Sequence, residues 1–313
     1  MSDRRKFIAT FTGISSSFFL PVTLYGISKK TNDLSDNPAG FKYCLNTSTI
    51  RGQRSGLWKD IDIAAQAGYD GVELWLENIM KYLRQGGSKT DLKNRLKDLG
   101  LSFENTIAFP KWIVNDPSIR KRALEELKKD LELLSFLGCK RIAAPPAGAT
   151  QGDILDLNQV AERYKAILKI GENYDILPVL EVWGHSVNLH ALSQALYVIT
   201  ECKHQKACVL PDVYHLYRGG SGFSGMKYLT KEAISMFHIN DYPAAPNRNE
   251  LTDADRVYPG DGVAPMKMIL NELKRIDPDM VLSLELFNPV YWKKDALHVA
   301  KTGLQKMKEL SRV

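Results

Sequence analysis

The chain has 313 residues, of which 44% are hydrophobic and 25% charged, with 42 Lys and Arg against 36 Asp and Glu and a formal charge of +6. This ordinary globular composition excludes an intrinsically disordered chain, a collagen-like repeat and a polytopic membrane protein. Residues 1–30 carry +4 of the charge, through Arg4, Arg5, Lys6, Lys29 and Lys30 against Asp3. The near-neutral remainder gives no electrostatic ground for binding nucleic acid or an anionic membrane.

The chain opens with a basic segment ahead of a short apolar stretch that runs to about Ile27, a secretory pattern. The Arg4–Arg5 pair followed by Phe7 and Ile8 resembles a twin-arginine export leader, so residues 1–30 are expected to direct export to the periplasm. Thr, Ser, Gly and Pro21 interrupt the stretch, which favours a leader over a membrane anchor, and contact with the membrane is expected only during export. Residues 31–40 read as a polar linker, and residues 41–313 as the folded body. Cys44, Cys139, Cys202 and Cys208 are too few for a disulfide framework. Buried free thiols are the default, with a Cys202–Cys208 bridge as the alternative after export.

Beyond the linker, short apolar runs alternate with amphipathic stretches. The strand candidates are 41–46, 71–75, 102–107, 141–144, 177–182, 207–212, 236–239 and 281–287; helical patterns include 118–137, 158–173, 189–202, 265–276 and 293–310. Strand centres recur about every 34 residues, the size of one βα unit in a (β/α)₈ TIM barrel. A doubly wound open sheet competes, but no GxGxxG follows the first strand and eight units suit closure better.

Active sites of such barrels sit at the C-terminal ends of the strands. There the fifth run ends in Glu181, the sixth in Asp212, the seventh in His238 and the eighth in Glu285. Any one of these could be a salt-bridged structural acid or a core histidine; four on four consecutive strands point to a common purpose. Buried carboxylates repel one another unless a cation intervenes, and no internal cation is evident in these runs, so a divalent metal held by Glu181, Asp212, His238 and Glu285 is expected. Three carboxylates and one imidazole suit Mn²⁺ first, with Mg²⁺, Co²⁺ or Zn²⁺ as alternatives.

With Gly-Tyr-Asp-Gly-Val-Glu73-Leu, Asp212-Val-Tyr-His215 and His238-Ile-Asn-Asp241 added, the chain resembles the xylose-isomerase-like barrel family of sugar isomerases and epimerases over roughly residues 41–310. The resemblance implies that the four strand-end residues hold a catalytic metal and that Glu181 and Glu285 also move protons. The family includes ketose 3-epimerases, hydroxypyruvate isomerases and inosose dehydratases, so it leaves the reaction open. Its DNA-repair branch, similar to endonuclease IV, needs more strand-end histidines than this chain offers.

A divalent ion chelating a carbonyl and its neighbouring hydroxyl acidifies the proton on the intervening carbon, and a carboxylate removes it. From the resulting enediolate, reprotonation gives an epimer or an isomer, and loss of a β-oxygen gives a lyase product. An isomerase or epimerase on a keto sugar is expected, a lyase or dehydratase on a 3-keto-glycoside or inosose is the alternative, and a non-catalytic carbohydrate-binding barrel is the third reading. Substrate contacts are expected from His215, His185, Glu73 and Asn46, from Arg256 in the long 242–262 connection, and from an apolar wall of Trp112, Phe109 and Trp183. Lys and Arg do not cluster at the strand ends, which favours an unphosphorylated sugar. A homo-oligomer is kept open, because barrel helices often pair.

Overall fold

The computed structural model describes residues 40–312; the leader expected over 1–30, and all of the linker but Gly40, lie outside the described residues. The strands are β1 (Lys42–Asn46), β2 (Gly71–Trp75), β3 (Ser102–Ile107), β4 (Arg141–Ala144), β5 (Leu177–Glu181), β6 (Val209–Leu210), β7 (Phe237–Ile239) and β8 (Val281–Leu284). All are parallel, in the order β6-β5-β4-β3-β2-β1-β8-β7. Bridges Val209↔Ile234 and Asp212↔His238 join the two outer strands and roll the sheet shut. The fold is the single-domain (β/α)₈ TIM barrel expected from the sequence.

The helices between the strands are α1 (Leu57–Ala67), α2 (Leu76–Arg84), α3 (Lys89–Asp98), α4 (Pro117–Leu137), α5 (Leu157–Glu172), α6 (Leu192–Glu201), α7 (Val213–Arg218), α8 (Met266–Ile276) and α9 (Ala296–Ser311). Local chemistry sets their ends. Asp116 caps α4 by accepting from Ser118 and Ile119 N–H, Pro117 supplies the preset first turn, and Gly138 closes the helix at φ +80°. On the face between, Ala123, Leu127, Leu131 and Leu134 recur at helical spacing and are buried. No described helix is long and apolar enough to cross a membrane. All four cysteines are buried free thiols.

Because side chains alternate along a strand, every second residue enters the barrel. Cys44, Ala143, Val179, Cys208, Met236 and Val281 pack together as its apolar middle. Two positions further along the same strands stand Asn46, Glu181, Leu210, His238 and Ser283, and after these come Asp212, Asn240 and Glu285. The polar strand ends are thus the upper layer of a column whose middle is apolar.

Two local departures shape that layer. The sixth strand, expected over 207–212, pairs only at Val209 and Leu210. Pro211 has no N–H to extend the ladder, and Asp212 turns to cap α7, its Oδ1 accepting the His215 N–H at 2.7 Å. In β3 the pairing with β2 shifts between Val72 and Glu73, so that Val72 faces Phe103 and Glu73 faces Asn105. Glu104 is the extra residue of this bulge, which lets both Glu104 and Asn105 reach polar partners in adjoining strands.

Candidate metal centre

Asp212, His238 and Glu285 each present a ligand atom within 4.8 Å of the others, all buried. Around His238 Nδ1 stand Glu285 Oε2 at 3.2 Å, Asp212 Oδ2 at 3.9 Å and Glu181 Oε1 at 4.0 Å. The strand-end set read from the sequence therefore converges on one point. Nδ1 itself makes no hydrogen bond, and neither does Glu181 Oε2; both are buried. Orphaned buried polar atoms are rare and costly, so two of them facing the same point mark a place for a ligand.

The other side of the imidazole is fixed. Nε2 lies 2.9 Å from Glu73 Oε1, whose carboxylate also accepts from Asn105 Nδ2 at 2.6 Å, Ser283 Oγ at 2.6 Å and Asn46 Nδ2 at 2.9 Å. Burial opposes a charge on the ring, but Glu285 and Glu73 outweigh it and hold His238 well above the ordinary imidazole range; Glu73 takes the Nε2 side, so Nδ1 is the nitrogen turned toward the other carboxylates, a carboxylate–histidine pairing of the kind that orients metal-binding imidazoles. Asn46 also donates to Glu285 Oε1 at 2.9 Å and accepts from Trp75 Nε1 and from Ser48 N–H.

These bonds correct the sequence reading of Glu73 and Asn46 as contacts to sugar hydroxyls. Both are fully buried behind the cluster, and their polar atoms are engaged by His238, Asn105, Ser283, Glu285, Trp75 and Ser48 instead of facing open space.

The expectation that the cluster lacks an internal cation is also corrected. Arg256 is 1% exposed, and its Nη1 bridges Glu285 Oε2 at 2.7 Å and Asp212 Oδ2 at 3.0 Å. Nη2 contacts Asp253 and His215, leaving only Nε without a partner. The residue expected to hold substrate instead neutralises the carboxylates. Its loop is fastened by Asp241, whose carboxylate accepts backbone N–H groups from Tyr242, Ala264, Gly260 and Gly262 at 2.8–3.2 Å, and by Asn288, which donates to the Arg256 carbonyl at 2.9 Å. Any side chain at 262 would run into Asp241.

The charges pull the carboxyl groups apart. Burial pushes Glu181 up to about 8; His238 opposes the rise and Glu285 adds to it. Burial also acts to raise Glu285, but His238 and Arg256 outweigh it and bring that group down to about 2. Asp212 is raised by burial against the pull of Arg256. Burial and the guanidinium drive His215 well below the ordinary imidazole range, so this ring is neutral.

Above the centre runs a chain of rings. Phe287 meets Trp75 edge-on at 5.9 Å, Trp75 meets Phe109 at 5.6 Å, Phe109 meets Trp183 at 5.7 Å, and Trp183, His185 and His215 follow at 5.3 and 5.6 Å. Phe109 and His185 are exposed. Phe109 and Trp183 thus stand together as the sequence suggested, but Trp112 does not join them. It is fully buried, its indole N–H donates to the Pro145 carbonyl at 2.9 Å, and its ring lies against Tyr164 of α5.

Sequence reasoning missed Asn240, which donates to Asp212 Oδ2 at 2.7 Å, along with Asn105, Ser283, Trp75 and Phe287. Asn240 and Ser283 lie two positions from His238 and Glu285, so strand alternation could have found them. The bulge conceals Asn105 from that rule.

Relatives carry the same architecture. Inosose isomerase of Bacillus velezensis is 29% identical over 272 residues, spanning 84% of this chain and 94% of that protein. The 3-dehydroshikimate dehydratase of Pseudomonas putida is 24% identical over 255 residues, 79% of this chain but 38% of the relative. The crystal structure of an IolI protein with a bound zinc superposes with a TM-score of 0.79 at 25% identity, covering 87% of this chain and 98% of its own. These relatives are enzymes, an isomerase and a dehydratase. A family model for the xylose isomerase-like TIM barrel matches residues 61–310, and the chain belongs to that family.

Proposed function

We propose that the chain is a divalent-metal-dependent isomerase or epimerase of a keto sugar or a related cyclic polyol ketone, with Glu181, Asp212, His238 and Glu285 as the metal ligands. The observation that carries the reading is His238 Nδ1, buried, without a hydrogen bond and surrounded by three carboxylates, while Glu73 holds the opposite nitrogen. Three oxygen donors and one imidazole suit Mn²⁺; the zinc of the IolI structure makes Zn²⁺ the ion to compare.

When bound, the ion would polarise a carbonyl and its neighbouring hydroxyl and so acidify the carbon between them. The chain's own residues supply the proton traffic. Glu285 is oriented by the bond that its Oε1 accepts from Asn46, a bond independent of Arg256, and is the base. Glu181 keeps Oε2 free of protein partners and is the group that returns a proton. The rings of Phe109 and Trp183, set edge-to-face at 60°, form an angled apolar wall beside which a sugar can lie, and His185 offers the exposed polar edge next to them.

A dehydratase is the second reading, favoured by the 3-dehydroshikimate dehydratase relatives. Both readings start with removal of a proton next to a carbonyl. The test is incubation in D₂O with and without Mn²⁺ over a panel of ketoses, inososes and 3-keto-glycosides, followed by NMR. Metal-dependent deuterium uptake supports the reading, and the product separates the two reactions; no exchange on any member by a metal-loaded protein overturns it. The export reading of residues 1–30 is tested separately, by fractionation of cells producing the full chain.

A further inference from the structure

The oxygens closest to His238 Nδ1 are Glu285 Oε2 and Asp212 Oδ2, and these same two atoms accept from Arg256 Nη1. The guanidinium therefore sits where a cation bound to that nitrogen would need its oxygens. We propose that Arg256 and the divalent ion compete for these carboxylates: Arg256 neutralises them until the ion arrives, and leaves Asp212 and Glu285 when it binds. The proposal rests on the metal-centre reading above.

Two further features make Arg256 displaceable. The first is a mismatch of donors. Gly184 N–H donates to His215 Nδ1 at 3.2 Å, and a nitrogen that accepts carries no proton, so the ring N–H is on Nε2. That Nε2–H then faces Arg256 Nη2 at 3.1 Å, donor against donor, so His215 does not help to hold the guanidinium. The second is the anchoring. The Arg256 backbone is fixed by Asn288 and by the bridge between Asp241 and Val257, and the guanidinium lies beside the flat rings of Tyr214 and Phe287, at 4.6 and 5.1 Å. The side chain can slide along these rings while the backbone stays in place. Besides the two carboxylates, its acidic partner is Asp253, 43% exposed at the loop surface.

The test is calorimetric titration of the full chain with Mn²⁺, together with melting of the metal-stripped protein, for wild type, Arg256→Met and Arg256→Lys. Arg256→Met is expected to bind Mn²⁺ about tenfold more tightly than wild type and to melt at least about 5 °C lower when stripped, with saturating Mn²⁺ restoring the loss. Arg256→Lys keeps a competing charge and is expected to stay within about threefold of wild type. Equal or weaker binding by Arg256→Met overturns the competition while leaving the metal centre intact. No binding by wild type or either variant overturns the metal centre, and the competition with it. A crystal structure of Mn²⁺-loaded wild type decides independently of how the variants fold. Loss of the Nη1 bonds to Asp212 and Glu285 supports displacement, and their retention beside a bound ion overturns it.

Discussion

The barrel buries carboxylates at both ends and settles them in opposite ways. At the lower end, Glu104 is 2% exposed and meets Lys140 Nζ at 2.6 Å and Arg141 Nη1 at 2.8 Å; Arg141 also reaches Ser235 across the barrel. One acid faces two cations, both carboxylate oxygens have partners, and Glu104 is held below the ordinary range because Lys140, Ser102 and Arg141 outweigh its burial. At the upper end Glu73, Glu181, Asp212 and Glu285 face His238 and Arg256, and orphaned atoms remain on Glu181, His238 and Arg256. A satisfied buried cluster is a structural plug, whereas an unsatisfied one that excess acid makes cation-seeking is a site. The difference also places function at the end where barrel enzymes keep it.

Glutamine substitutions test that difference most strongly. Glu181→Gln and Glu285→Gln are each expected to lower kcat by about 10²–10⁴-fold, the range for loss of a proton-transfer group; Glu181→Gln should leave the melting temperature little changed, while Glu285→Gln removes one of the two carboxylates on the buried Arg256 Nη1 and should lower it as well. Near-normal turnover in both would remove the acid–base assignment. Glu104→Gln should do the reverse. It leaves the half-buried Arg141 without its charge partner, so unfolding in urea should reveal a loss of about 2 kcal/mol, while kcat of the folded enzyme is retained. A catalytic defect at 104 with full stability would erase the contrast between the ends.

Glu73→Gln sharpens the upper end itself. Glu73 touches His238 Nε2 and no group at the open face, so it is a positioning residue. Mn²⁺ affinity is expected to fall about 10–100-fold, and saturating Mn²⁺ should restore most of kcat. A kcat loss that metal cannot rescue would move Glu73 into direct contact with the reaction.

How much of this could be read in the sequence follows from the kind of contact involved. Strand alternation is a local signal, so Glu181, Asp212, His238 and Glu285 were visible as the ends of apolar runs, and β2, β3 and β4 begin and end where the pattern put them. Arg256 lies in a loop without period, and its pairing with Asp212 and Glu285 depends on how Asp241 folds that loop back; residue type and the length of the loop pointed it at substrate. Trp112 looked like a wall residue because aromatics are common there, but its indole found the carbonyl of Pro145, just past the end of β4. Asn105 was hidden by a one-residue bulge that breaks the alternation on which the reading relied.

Asp60 shows a third way to settle a buried acid, and gives the smallest effect. It lies in the first turn of α1, is 4% exposed, and its Oδ1 has no hydrogen-bond partner. Neither a close cation nor a second acid defines its surroundings, and burial raises it from an ordinary 3.8 to about 7, with only Lys59 opposing. It is settled by keeping its proton. Between those two values the folded chain binds a proton that the unfolded chain has released, so stability is greatest below the unfolded value, falls as pH rises toward 7 and then levels off. At about 1.4 kcal/mol per pH unit, softened by Lys59 and nearby water, the fall should reach about 2 kcal/mol. Asp60→Asn cannot ionise. Urea unfolding at pH 3, 5.5 and 8 should show this variant level with wild type at the lowest pH and more stable by about that amount at pH 8. Parallel pH profiles for the two proteins would mean that Asp60 is ionised in the fold, with a counter-charge that its surroundings in α1 do not supply.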